Sequence, residues 1–251
     1  MRRRIAVLGL QIGALAALIG AWAYANGPGQ VSPILLPDMA RVAEELRELV
    51  VSAQLWRDVG ITLTELVAAF TIALVLGVLV GFLCSRTALR SEVAEPLIAW
   101  GYLVPTVLFY PLFILWFGVG MQSKIAYGAV SAFFPIAFNS LRGFRAVDPR
   151  YLKVARAYGA TNAQTDRQVK MLASLPMVLS GVRIGAALCM VSVILAEMLA
   201  STQGLGYELA RASQTLQMST AFALILVLLV FVAFIQLAIQ RLGREPYKTE
   251  T

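Results

Sequence analysis

The sequence predicts an all-α polytopic membrane protein with six transmembrane helices. Three observations carry this reading. Hydrophobic residues make up 59% of the chain and charged residues only 14%, too little polar surface for a soluble globule. Six stretches supply, or nearly supply, the roughly 20 apolar residues that a membrane-crossing helix needs. Lys and Arg are also distributed unevenly between the two sets of connections.

The first span, Ile5–Ala25, follows Arg2, Arg3 and Arg4 and ends at "AYANG", which has the small residues of a secretory cleavage site. Its apolar run exceeds the 7–15 residues usual for a signal core, so it reads as an uncleaved span. Residues 26–58 form an outer connection. A turn-rich lead, "NGPGQVSPILLPD", precedes "MARVAEELRELVVSAQLW", where Val42, Leu46, Leu49 and Val50 recur at helical spacing. This predicts an amphipathic helix at the outer interface. The second span is Val59–Cys84. The third, Pro96–Phe117, contains Pro105 and Pro111, and the fourth, Lys124–Leu141, contains Pro135; these prolines are expected kinks. Residues 142–180 form the longest cytoplasmic segment. Gly181–Ala200 is the fifth span, followed by an outer element, "STQGLGYELARASQTLQM", in which Gly204 and Gly206 break the chain. Ala221–Gln240 is the sixth.

With the N-terminus inside, the outer side holds Arg41, Arg47, Arg57, Lys124 and Arg211, and the inner side the other 16 of the 21 Lys and Arg. That bias fits the positive-inside rule and predicts cytoplasmic termini. It also accounts for the net charge of +7 without a nucleic-acid partner, leaving membrane lipid as the surrounding phase. Cys84 and Cys189 lie in apolar runs and read as small hydrophobes. His is absent, which removes the commonest general base and metal ligand, so an intramembrane enzyme or a metal site is not expected.

Within residues 142–180 the helix signals are explicit. Asp148 before Pro149 supplies an N-cap and a first-turn proline, and Gly159 is placed to end the helix. Thr161 and Gln164 have capping-box spacing for a second helix, and Pro176 predicts a break before the fifth span. Arg150, Lys153 and Arg156 recur every third residue, giving the first helix a basic edge. A solvated loop would also be basic, but two capped helices joined by a tight turn point to docking of a cytoplasmic partner.

These residues carry a resemblance. Gly159, followed 17 residues later by the Pro176 of "SLP", resembles the cytoplasmic EAA loop of bacterial ABC-importer permeases. Ala155 and Gly159 match that motif; Lys153 and Val154 replace its Glu and first Ala, and Leu172 stands where an earlier proline is often found. The stretches "YPLFILWFGVGMQSKI", "FFPIAFNSLRGFRAVDPR" and "GVRIGAALCMVSVILAEMLASTQGLGY" look like permeases of nitrate, sulfonate and taurine importers.

The resemblance implies a type I ABC importer permease fold over one domain, residues 1–251, in a bacterial inner membrane. It also implies a separate ATPase subunit, a second permease copy as a homodimer and an extracytoplasmic binding protein. Arg150, Lys153, Ala155, Arg156, Ala157, Tyr158, Gly159 and Ala160 would then form the ATPase-coupling element. Mg-ATP would sit on the partner, since the chain contains no G-x-x-x-x-G-K-[ST] and needs no bound cofactor of its own.

Candidates for the translocation pathway are Glu197, Asn139 and Ser201. Glu197 is the ionisable residue deepest in a predicted span, and such residues are functional by default. A structural role, hydrogen-bonding a neighbouring helix or loop, weighs at least equally. Arg183 is 14 residues away, about 21 Å along a helix, and cannot neutralise it. Glu65 lies nearer the outer end of its span. The alternative reading, a self-sufficient secondary transporter or channel, would call for inverted repeats or midplane charges and would leave the capped cytoplasmic helices unexplained.

Overall fold

The structure, a computed structural model, describes residues 10, 13, 14, 17, 20–26, 32 and 35–242. The first expected span lies largely outside the described residues; those at 20–26 are helical. Trp22 Nε1 donates to the carbonyl of Pro37 at 3.0 Å, and its ring packs on Phe222.

Helix α1, Met39–Val51, is capped by Asp38. Val42, Leu46 and Leu49 turn inward, whereas Val50 is 46% exposed and departs from the expected face. Instead of lying free at the interface, α1 packs against the last helix, and Thr220 Oγ1 donates to Glu45 Oε2 at 3.0 Å. Helix α2, Ala53–Cys84, starts six residues before the expected span because Ser52 caps it, its hydroxyl accepting from Leu55 N. Helix α3, Ala88–Leu103, likewise begins early, at the Thr87 cap. After Pro105 the chain turns through a 3₁₀ segment, Thr106–Phe109, into α4, Tyr110–Phe117. The third expected span is therefore broken, bent by 79° between its halves.

Helix α5, Met121–Arg145, is the centre of the molecule, with α2 and the fifth-span helix packed along it. Among the described residues it is long enough to cross a membrane but less apolar than α2 and the last two spans, carrying Lys124, Ser131, Asn139 and Ser140. Its neighbours shield it, so it does not need a lipophilic surface of its own. Close approach is achieved with small residues. A Cβ on Gly81 of α2 would stand 2.5 Å from Ser140 Cβ, and one on Gly185 of the fifth span would stand 2.6 Å from Ile136 Cγ1 and 3.0 Å from the Ala132 carbonyl. Gly185→Ala is thus expected to lower stability by about 1–3 kcal/mol, the usual cost of overpacking. Thermal unfolding in detergent measures this, and an unchanged melting temperature would contradict the packing.

Beyond α5, α6, Pro149–Ala157, leads through a helical turn, Asn162–Gln164, and a π-helical stretch, Thr165–Lys170, into α7, Met171–Leu199. Pro176 does not break this run, contrary to expectation. It sits inside α7, where the missing N–H frees only one carbonyl near the helix's polar end. The continuous helical path Asn162–Leu199 spans 38 residues, roughly 55 Å at 1.5 Å per residue. Helix α8, Leu205–Gln214, and α9, Met218–Leu242, complete the described chain. Glu95 of α3 accepts from Arg142 and Arg145 of α5, and Arg86 at the end of α2 pairs with Asp166.

Candidate functional site

Two constellations lie at opposite ends of the 38-residue helix. The first is α6. Asp148 accepts from Arg150 N at 2.8 Å, and Pro149 occupies the first turn, where its missing N–H costs nothing. Gly159 has φ +79°, and the amides of Gly159 and Ala160 donate to the carbonyls of Arg156 and Ala155 at 2.9 and 3.0 Å. This is a Schellman closure that satisfies carbonyls the helix would otherwise leave open. Thr161 and Gln164 then form a reciprocal capping box. Helix α6 is thus fully defined by its own caps, although none of its residues is buried. Tyr151, Val154 and Tyr158, at i, i+3 and i+7, are 60%, 55% and 89% exposed, beside Arg150, Lys153 and Arg156.

The second constellation is a buried polar cluster at the other end. Asp58, Thr62 and Glu65 occupy i, i+4 and i+7 of α2 and are at most 1% exposed. Each meets a partner from another element. Asp58 Oδ1 accepts from Gly204 N at 2.8 Å; Thr62 Oγ1 accepts from Leu205 N at 3.0 Å and donates to Glu197 Oε1 at 2.7 Å. Glu197 Oε2 accepts from Gly206 N at 2.8 Å. The first turn of α8 is therefore capped by side chains of α2 and α7 rather than by its own sequence. Gly204, at φ +107°, leaves no space for a Cβ, which would collide with the Glu197 carboxylate. Beside this, Glu65 ion-pairs with Lys124 of α5, whose Nζ also donates to Ser201 Oγ at 2.9 Å.

Lys124 was expected among the outer-loop cations; it is 2% exposed and belongs to this cluster. Glu197 and Ser201 come together at the cluster, while Asn139 does not join them: its Nδ2 donates to the Pro135 carbonyl of its own helix at 2.8 Å. Asp58, Thr62 and Lys124 were missed by the sequence reading. The helical spacing of Asp58, Thr62 and Glu65 on an otherwise apolar helix was a signal for two of them; nothing local marks Lys124.

A central helix with α2 and α7 along it, one broken span and an exposed, self-capped helix describe a polytopic membrane subunit. The chain belongs to the family described as binding-protein-dependent transport system inner membrane component, whose profile matches residues 73–245. It is 30% identical to the taurine transport system permease protein of Escherichia coli K12 over 94% of this chain and 87% of that one. It is 31% identical to the putative aliphatic sulfonates transport permease protein of Bacillus subtilis 168, over 86% and 78% respectively. Among solved structures it is similar to an inward-facing conformation of the MetNI methionine ABC transporter, with a TM-score of 0.65 and 21% identity, covering 76% of this chain and 95% of that chain. The likeness at this identity is one of fold. The chain is the transmembrane permease subunit of a binding-protein-dependent ABC importer.

Proposed function

We propose that α6 docks on a separate ATPase subunit that binds Mg-ATP, and that two copies of this chain, each acting as one unit over residues 1–251, line the pathway. An extracytoplasmic binding protein delivers the solute to the outer side, and both termini face the cytoplasm of a bacterial inner membrane. The solute is a small sulfonate of the taurine class, a reading supported by the names of the relatives. The observation that carries the docking role is that α6 is rigidly capped at both ends yet buries none of its residues. A stripe of Tyr151, Val154 and Tyr158 rimmed by Arg150, Lys153 and Arg156 suits a groove: apolar knobs supply affinity and rim charges set the register. Ala155 and Ala157 permit close approach, and Gly159 with Ala160 closes the helix. When the ATPase pair closes on ATP, it draws the two α6 helices together, and the 38-residue helix carries that displacement toward the outer cluster.

Gly159→Val tests the docking role. Open space surrounds the position, so the cost is the left-handed backbone alone, about 1–2 kcal/mol. The variant is expected to insert in the membrane but to lose ATPase co-purification and ATP-driven uptake, while Gly159→Asn, which tolerates this conformation, retains most of both. Normal ATPase association in the Val variant would remove the reading.

A further inference from the structure

The break in the third span opens onto a cavity of about 390 Å³ between the 104–107 turn, α5 and α7, within the range of small-molecule sites. Thr106 Oγ1 and Ser131 Oγ lie 3.1 Å apart in its wall. Tyr127 and Ser192 also line it; they are 2% and 6% exposed, and neither hydroxyl has a hydrogen-bond partner among the described residues. Neither oxygen is sealed off, so both hydroxyls open into the cavity and can meet a polar guest that enters it.

The position fixes what that can be. Ser131 is 10 residues from the start of α5 and 14 from its end, about 15 and 21 Å, so the cavity lies near mid-depth. Irregular backbone at such depth is not tolerated against lipid and occurs where it lines a water-filled space or is covered by protein. No Lys, Arg, Asp or Glu is among the lining residues, so the wall offers hydrogen bonds without a fixed charge. A wall of that kind can receive acceptor oxygens and still release them, as passage requires.

We propose that this cavity is a contact site for the transported solute: Ser192, Tyr127 and Ser131 meet the oxygens of a small sulfonate, and its short stem lies against Leu188 and Leu195. The sulfonate rests on the functional reading above; the cavity does not.

The test uses the complete importer in proteoliposomes, with Cys84→Ser and Cys189→Ala removing the native thiols. Ser192→Cys is expected to react with a charged methanethiosulfonate at least about ten-fold faster than Leu229→Cys on the exposed face of α9, because thiolate chemistry needs water, and to be slowed by taurine with its binding protein. Ser192→Leu, which fills the space, is expected to co-purify with the ATPase and to lower taurine uptake about ten-fold or more. Labelling no faster than at Leu229→Cys would overturn the proposal by showing that lipid or the second copy occupies the cavity. So would undiminished uptake by assembled Ser192→Leu. Fast labelling in an importer whose native form carries neither taurine nor ethanesulfonate would sink the sulfonate reading and leave the water-filled cavity standing.

Discussion

Lys124→Met is expected to cost on the order of 3–5 kcal/mol, because removing one partner of a buried ion pair leaves the other charge without compensation. The stranded group is Glu65, fully buried on α2. Lys124 also donates to Ser201, whose hydroxyl in turn donates to the Gln203 carbonyl at 2.7 Å, so the same substitution loosens the turn leading into α8. The expected result is little assembled permease in the membrane and a strongly lowered melting temperature in detergent. Replacing both partners, Glu65→Leu with Lys124→Met, should recover much of the stability, since a buried pair exchanged for apolar groups is often neutral. Wild-type stability in the single Lys124→Met variant would show that the pair does not hold α2 to α5.

Glu197→Ala ranks next. It leaves the Gly206 N–H and the Thr62 hydroxyl without their acceptor, at about 1–3 kcal/mol each. The start of α8 would come away from α7, and assembly or the coupling of ATP hydrolysis to uptake should fail. Glu197→Gln retains a carbonyl oxygen for Gly206, and its amide can donate to Thr62, which keeps a lone pair free for the purpose. Near-normal uptake is therefore expected for Gln, and the contrast between the two variants separates a structural post from a solute contact. A Gln variant that assembles and hydrolyses ATP normally, yet prefers a different solute, would overturn the structural role. The geometry favours the post: the carboxylate is fully buried and both oxygens are engaged within the chain.

The two ends of the protein were unequally legible. Helix α6 could be read in outline, because Asp148, Pro149, Gly159, Thr161 and Gln164 act through contacts within a few residues of themselves, and local sequence contains both partners. The cluster around Glu197 could not be read in the same way. Thr62 and Glu197 are 135 residues apart, and Asp58 and Gly204 are 146 apart. Apolarity located α2, α7 and α9 yet understated α5, which packing shields from lipid. It also drew the third span as one piece, since composition registers length and not a 79° bend.

By itself, then, the sequence determined that this is a helical membrane protein, where most of its spans lie and how α6 begins and ends. Each of these follows from composition, periodicity or a cap, all of which act over one or two helical turns. Tertiary structure alone decided that Lys124 is buried to neutralise Glu65, that Pro176 is absorbed into a continuous helix, and that the first turn of α8 is held by carboxylates from α2 and α7. Those outcomes depend on which helices pack together. A charge removed from water is tolerated only where a distant partner arrives to meet it.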